Sequence, residues 1–160
     1  MKDIDRNGIH DKLLLETALK LMKPDFEVVL EIGAYNGVYA EFLAQHTDAK
    51  IYAFEPNPES YSAMVERVED YENVYPINAL VSNISGQAKF YIDSEFAPDC
   101  TLFPGKNKVP IYVKSVKLDD LFPSERVDFV ISDTQGGELF ALLGMDYLIR
   151  RNKPDMILEY

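Results

Sequence analysis

Two glycines and a glutamate fall within the segment Glu31-Ile32-Gly33-Ala34-Tyr35-Asn36-Gly37, a spacing that suits ligand binding. Glycine lets the backbone approach a ligand closely, and a helix that follows such a turn presents free N–H donors. The segment lacks the first glycine of the dinucleotide fingerprint G-x-G-x-x-G and carries Glu31 near that position, so an anionic pyrophosphate would be repelled. We therefore predict a site for a ligand with an ammonium or sulfonium group, while a tight turn without a ligand stays the alternative. The predicted contacts are Glu31, Gly33, Ala34, Tyr35, Asn36 and Gly37.

A second acidic residue, Glu55, follows the next apolar run of the chain. It lies about 20 residues beyond Gly33, the offset at which dinucleotide-binding folds place a ribose-binding acid. A carboxylate can accept both ribose hydroxyl protons at once. The alternative is an acid that favours the start of the next helix through the helix dipole. Taken together with the glycine turn, Glu55 favours a nucleoside ligand.

A third group of polar residues begins at Asp133 and continues through Thr134-Gln135-Gly136-Gly137 to Glu138. Asp133 and Glu138 flank a flexible glycine pair, and Glu159 follows a later apolar run. These acids could orient or deprotonate a substrate hydroxyl, or share a divalent cation through carboxylate oxygens. The metal interpretation is the weaker one, and we predict no metal ligands. In the alternative interpretation, Asp133 caps a turn and Glu138 lies in the first turn of a helix.

The elements around these residues alternate between strands and helices. The apolar run Glu27–Ile32 predicts a strand buried on both faces, and Val38–Gln45 repeats apolar residues at helical spacing. Lys50–Glu55 predicts the second strand, after which Asn57 and Pro58 suit the N-cap and the first position of a helix. Further strands of the same kind are predicted at Val74–Val81, Val127–Asp133 and Asp155–Tyr160.

An insertion interrupts this alternation. Lys89–Asp93 and Ile111–Leu118 alternate apolar and polar residues, a pattern typical of half-exposed antiparallel strands. The segment Pro98–Pro110 between them is rich in Pro, Gly and Lys and predicts a loop. We therefore predict a hairpin inserted into an α/β domain.

These elements predict one α/β domain over residues 1–160, with an N-terminal helix in residues 1–26 and a Rossmann-like core in residues 27–160. The core is a doubly wound, mostly parallel sheet with the antiparallel hairpin insertion. Right-handed crossovers place the loop after the first strand at the point where the strand order reverses, which is where such folds bind ligands.

Charge and hydropathy restrict the partners. The formal net charge of −11 repels phosphate backbones, so we predict no nucleic-acid partner. No apolar run approaches the roughly 20 residues of a membrane span, and the polar N-terminus lacks the apolar stretch of a signal peptide. The single cysteine, Cys100, cannot form an intramolecular disulfide and suits a reducing compartment. The prediction is a cytoplasmic protein.

The segments EIGAYNG, YAFEPNP, NALVSNISG, VKLDDL, VDFVISDTQGGE and KPDMILEY, in this order, resemble the FkbM-type methyltransferases. The resemblance implies a class I, Rossmann-like fold, S-adenosylmethionine as cofactor with S-adenosylhomocysteine as product, and O-methylation of a hydroxyl on a sugar or another small molecule. It implies Gly33 and Gly37 near the methionine part of the cofactor and Glu55 on the ribose. Asp133 and Glu138 match the family's acidic motif near the active site, with Asp133 the expected base. Ala79 or its neighbours are expected beside the adenine, and Pro56, Asn78 and Asp133 are further expected cofactor-binding residues.

Two departures from the family pattern lead to further expectations. The family usually has a lysine two residues before the fourth-strand aspartate, where this chain has Ile131. The chain stops at Tyr160 where relatives continue, which predicts a shortened C-terminal part and an exposed edge at the fifth strand. At that edge we predict a homodimer or a strand supplied by a partner. A non-catalytic cofactor-binding module that needs a partner chain is the alternative function. A nicotinamide-dependent oxidoreductase is a remote third, because G-x-G-x-x-G is missing.

Overall fold

The structure is a computed structural model that describes residues 9–93 and 100–159. Its helices are α1 (Ile9–Leu21), α2 (Val38–Ala44), α3 (Pro58–Val68), α4 (Leu118–Leu121), α5 (Glu138–Leu143) and α6 (Asp146–Asn152). Its strands are β1 (Val28–Ile32), β2 (Lys50–Phe54), β3 (Val74–Ile77), β4 (Leu80–Val81), β5 (Gly86–Asp93), β6 (Lys108–Val116), β7 (Phe129–Ser132) and β8 (Asp155–Leu158). The predicted loop positions 98 and 99 and the predicted strand end at Tyr160 lie outside the described residues.

Five parallel strands form the main sheet in the order β3-β2-β1-β7-β8. The predicted doubly wound α/β fold is therefore confirmed. The order reverses at β1, so the chain leaves that strand on one side toward β2 and later returns on the other side at β7. The loops that follow β1, β2 and β7 consequently meet at one edge of the sheet, where open α/β sheets bind ligands.

Apolar side chains cover both faces of the sheet. Because side chains alternate along a strand, Val29 of β1 packs into one core with α2 and α3, while Leu30 and Ile32 pack into a second core with α5 and α6. Val29 and Leu30 are both fully buried. Burial of the central strand on both faces explains why its sequence is an almost continuous apolar run. None of the helices in the described part of the chain is long and apolar enough to cross a membrane.

The predicted third strand, Val74–Val81, is wrong as a single element. It divides at Asn78 into β3, which pairs with β2, and β4, which joins a second sheet of order β4-β6-β5. The Asn78 side-chain amide donates to the carbonyl oxygens of Glu55, at 2.8 Å, and of Pro56, at 3.3 Å, and the Ala79 N–H turns back to Ile77 O. These bonds replace the strand ladder and redirect the backbone.

The hairpin insertion is confirmed, with longer strands than predicted. β5 and β6 pair antiparallel from Gly86 opposite Ser115 to Asp93 opposite Lys108, so the last three residues of the predicted loop belong to β6. Pro110 is tolerated there because β4 covers the other side of β6 only at Ser115 and its neighbour Val116. Leu118, predicted as a strand residue, begins helix α4 instead.

The amino ends of β1 and β7 are held together by Asp128. Its Oδ2 accepts hydrogen bonds from the Glu27 N–H, at 2.7 Å, and from the Val28 N–H, at 3.2 Å. Its Oδ1 accepts from the Arg126 guanidinium. At the neighbouring strand β8, Asp155 makes an ion pair of 2.8 Å with Lys23 in which both side chains are well exposed.

Candidate functional site

Gly33 closes β1 and lies against the end of β7. Its N–H and that of Ala34 both donate to Phe54 O, at 2.9 Å each, and its φ of 83° lies in the left-handed region. A Cβ on this residue would stand 1.8 Å from the backbone oxygen of Asp133. The turn therefore requires glycine for its conformation and for its contact with β7.

Gly37 begins α2 with a φ of 79° and packs on α3, where an added Cβ would stand 2.8 Å from Met64 Cγ. Arg67 of α3 donates from Nε to Asn36 O at 2.8 Å and from Nη1 to Glu41 at 3.0 Å. Between the two glycines, Tyr35 also has a positive φ, of 48°. The loop predicted to bind a ligand is thus fixed in an uncommon backbone conformation by α3.

Glu55 lies between the loops that follow β1 and β2. Its Oε2 accepts from the Tyr35 N–H at 2.8 Å and its Oε1 from the Asn57 N–H at 2.7 Å. Burial, which outweighs these two hydrogen bonds, raises the pKa of Glu55 to about 7. Each carboxylate oxygen retains a lone pair for a further donor. The structure therefore brings together Glu55, Tyr35, Pro56 and Asn78, whereas Ala79 is fully buried in the core beneath them.

Glu31 is buried under the same turn, with 2% of its surface exposed. Its Oε2 has no hydrogen-bond partner among the described residues, and neither has the Ser132 hydroxyl oxygen. Burial first, and then the charges of Glu55 and Asp133, hold the pKa of Glu31 well above its usual range. Ile131, opposite Glu31 in the β1–β7 pairing, is buried and offers no charge to it. A cation in this position would favour the ionised form of Glu31.

Asp133 follows β7 directly, where its N–H donates to Ile32 O at 2.9 Å. Burial, followed by contact with the Glu159 carboxyl, raises the pKa of Asp133 to about 7. A carboxyl with this pKa can exchange a proton near neutral pH, which is a property of general bases. Within residues 9–93 and 100–159, no group of three or more His, Cys, Asp or Glu side chains is arranged to hold a metal ion.

Glu138 begins α5 and turns back onto the loop before it. Its Oε1 accepts from the Thr134 N–H, at 3.1 Å, from the Thr134 hydroxyl, at 2.9 Å, and from the Gly136 N–H, at 3.2 Å. Burial would raise the pKa of Glu138, but these hydrogen bonds outweigh it and lower the pKa. These hydrogen bonds indicate that Glu138 fixes the conformation of the loop 134–137 beside Asp133.

Sequence reasoning gave no role to two residues that join this loop to its surroundings. The Gln135 side-chain amide donates to Asp133 Oδ1 at 3.0 Å and to Glu159 Oε2 at 3.3 Å. The Thr101 hydroxyl, from the segment that pairs with β5 at Tyr91, donates to Gln135 O at 3.1 Å. Phe103 follows, close to Gly136 and half exposed. In the sequence, Gln135 stands out only as a polar residue directly before the glycine pair Gly136-Gly137.

The sequence model of the Methyltransferase FkbM domain matches residues 31–160 of this chain. A curated relative, the hexuronic acid methyltransferase AglP of Haloferax volcanii, is 30% identical, with 88% of this chain and 58% of the relative covered. This chain therefore spans little more than half the length of that relative.

Solved structures of other methyltransferases share the fold. The crystal structure of methyltransferase FkbM from Methylobacillus flagellatus KT superposes with a TM-score of 0.62 at 17% identity, covering 86% of this chain and 33% of that one. A proposed methyltransferase of Streptococcus mutans, solved in complex with S-adenosylhomocysteine, gives 0.53 at 12% identity, covering 90% and 66%. At such identities the likeness concerns the fold, which is that of class I S-adenosylmethionine-dependent methyltransferases.

Proposed function

This chain belongs to the FkbM methyltransferase family, and we propose that it transfers a methyl group from S-adenosylmethionine to a hydroxyl of a sugar or another small molecule. The observation that carries the proposal is the position of Glu55, fixed by the N–H groups of Tyr35 and Asn57 at the end of β2. The acceptor class is supported by AglP, whose name gives hexuronic acid as the methylated compound.

The residues at the carboxyl ends of β1 and β2 fit this cofactor. Gly33 provides a turn without a side chain, and Glu55 keeps lone pairs for the two ribose hydroxyls. The unpartnered Oε2 of Glu31 suits the positively charged methionine end. We assign the adenine to the neighbourhood of Pro56 and Asn78, which are joined by a hydrogen bond beside Glu55. S-adenosylmethionine, when bound, supplies a methyl group on a positively charged sulfur, which is a good leaving group.

We place the acceptor hydroxyl beside the residues that follow β7. Asp133 accepts the hydroxyl proton as general base, a contribution typically worth about 10²- to 10⁴-fold in rate. Its pKa of about 7 makes the carboxylate available near neutral pH. Positioning of the hydroxyl beside the methyl group supplies the larger part of the acceleration. Glu138 acts here by holding the loop 134–137 in shape.

Cofactor binding is tested first, with S-adenosylhomocysteine as the probe in calorimetry and thermal unfolding. At 100 times the dissociation constant, binding should stabilise the fold by about 2.7 kcal/mol. We expect Glu55→Gln to weaken binding by tenfold or more, since a hydrogen bond to a charged group contributes about 1.5–3 kcal/mol. Glu66→Gln, an exposed acid on α3, is the matched control and should bind normally.

The pH dependence of S-adenosylhomocysteine binding provides a second test of the role of Glu55. The ionised carboxylate is the form that accepts two hydroxyl protons, so affinity should increase as the pH rises through about 7, the pKa of Glu55. Glu55→Gln should reduce this increase. Absence of any binding by the wild-type chain would refute the proposed function.

Methyl transfer is tested next, with a labelled methyl donor and a panel of sugars that includes hexuronic acids. Asp133→Asn should lower kcat by about 10²- to 10⁴-fold, since it removes the base and keeps the shape. Full turnover by this variant on an identified acceptor would show that Asp133 is not the base. Binding without turnover on any acceptor would favour the alternative of a non-catalytic cofactor-binding module.

A further inference from the structure

Gln135 lies between two carboxyl groups at the acceptor side of the site. Its side-chain nitrogen stands 3.0 Å from Asp133 Oδ1 and 3.3 Å from Glu159 Oε2, so one amide group donates to both. Gln135 has a φ of 50°, in the left-handed region that non-glycine residues seldom adopt. Such a conformation persists where surrounding contacts determine it, and Thr101 provides one through its bond to Gln135 O.

The two carboxyl groups lie at the same edge of the sheet. Asp133 and Glu159 follow the neighbouring parallel strands β7 and β8, and the Glu159 N–H donates to Ser132 O at 2.9 Å. The strand pairing therefore places both side chains where the Gln135 amide bridges them. An acidic neighbour this close makes an aspartate harder to ionise.

The titratable groups that face Asp133 come from four elements and are all acidic: Glu31 of β1, Glu55 after β2, Glu138 of α5 and Glu159 after β8. Burial of Asp133, together with the negative charge of those neighbours that are ionised, opposes ionisation of its carboxyl. The Gln135 amide is therefore the group that favours the ionised form of Asp133.

We propose that Gln135 and Glu159 are positioning residues for methyl transfer, which hold the Asp133 carboxyl between them and orient it toward the acceptor hydroxyl. This inference rests on the proposed function. In the reaction, the acceptor O–H bond breaks and its proton passes to Asp133. The hydroxyl oxygen forms a bond to the methyl carbon, and the carbon–sulfur electron pair returns to sulfur. The products are a methyl ether, neutral S-adenosylhomocysteine and one proton for solvent.

The two positioning residues act on Asp133 in opposite directions. The Glu159 carboxylate makes ionisation of Asp133 harder, whereas the Gln135 amide stabilises the ionised form by donating to it. Glu159→Gln should therefore lower the pH at which Asp133 titrates, and Gln135→Ala should raise it. A residue that only supported the local fold would not produce shifts of opposite sign.

The titration is measured by carboxyl-carbon NMR of the Asp133 side chain, assigned with Asp133→Asn. In the wild type we expect the midpoint of Asp133 near neutral pH. Glu159→Gln should move it down by about one pH unit, the scale of a close like-charge interaction. Gln135→Ala should move it up, and Glu66→Gln, far from the pair on α3, should leave it in place. This readout needs neither cofactor nor acceptor.

Kinetics on an identified acceptor complete the test. The acid limb of the kcat/KM profile should follow the NMR midpoint in each variant, with lower kcat and an unchanged KM for S-adenosylmethionine. An Asp133 midpoint that moves in neither variant overturns the inference. If the midpoints shift as expected but the wild type transfers no methyl group, the carboxyl pair stands and the proposed function fails.

Discussion

Gly33 joins the turn after β1 to the end of β7. Its backbone is bonded to β2 through Phe54 O, and the space for a side chain is filled by the backbone of Asp133. One residue therefore fixes the separation between the turn assigned to the cofactor and the aspartate assigned as base. Its role is geometrical, since it has no side chain to contribute.

Replacement of Gly33 by alanine should destabilise the protein more than replacement of an unrestricted glycine. The added Cβ would meet Asp133 O and the backbone would be strained at φ 83°, so we expect a loss of about 2–4 kcal/mol in the free energy of unfolding. Gly86 is the matched control, because its φ of 135° brings strain but an added Cβ meets nothing within 4 Å. Urea unfolding measures both. Equal losses would show that contact with Asp133 is unimportant.

Some residues of the site could be predicted from the sequence, and others could not. Glu31, Gly33, Glu55 and Asp133 each follow or end an apolar run, and parallel pairing brings those strand ends together whatever the detailed packing. Gln135 was not predicted, because its position depends on contacts with Glu159 and Thr101 that lie far away in the sequence.

At the scale of elements, Asp128 fastens the two central strands at the end of the sheet opposite the site. It is 8% exposed and satisfies the first two N–H groups at the start of β1. The Glu27 N–H precedes the strand and the Val28 N–H begins it. One side chain thus sets where β1 starts relative to β7.

Loss of the Asp128 carboxylate should be costly. We expect Asp128→Ala to lower the free energy of unfolding by about 2–4 kcal/mol, since two partly buried N–H donors and the Arg126 guanidinium lose their acceptor. Asp155→Ala, at the start of the adjacent strand, removes an exposed ion pair and should cost at most about 1 kcal/mol. Chemical unfolding of both variants checks the difference. Similar losses would mean that Asp128 acts as an ordinary surface charge.

The elements that sequence failed to indicate are those whose ends are set by tertiary contacts. Helix α6 starts without a capping side chain of its own, and its Tyr147 and Leu148 N–H groups are capped by Asp119 of α4. The break between β3 and β4 likewise depends on Asn78, which bonds to the loop after β2. Periodicity and local capping signals cannot reveal partners that lie elsewhere in the fold.

At the scale of the whole molecule, β8 forms one edge of the main sheet and pairs only with β7 among the described strands. The N–H groups of Asp155 and Glu159 point to β7, so the N–H of Leu158 alternates toward the free edge. An open edge is a template for another strand. The homodimer through this edge stays a prediction.

Light scattering over a range of protein and salt concentrations tests the homodimer. With a net charge of −11 on each copy, repulsion opposes association, so the dimer fraction should increase with salt. Leu158→Pro removes one edge N–H and leaves the bonds to β7, and should yield a monomer. The control is Leu158→Ala, which keeps the N–H and should still dimerise. A proline at Leu139 would not serve as a control, because Leu139 lies within helix α5. A strict monomer in every condition would refute the prediction.

The bond between Thr101 and Gln135 has an evolutionary consequence. It ties the segment between β5 and β6 to the loop 134–137. The residue before Thr101, Cys100, accepts a hydrogen bond from the Asn57 side chain, and the Asn57 N–H in turn donates to Glu55. Changes within the insertion can therefore reach both Gln135 and Glu55, so that variation of one short segment is felt on two sides of the site at once.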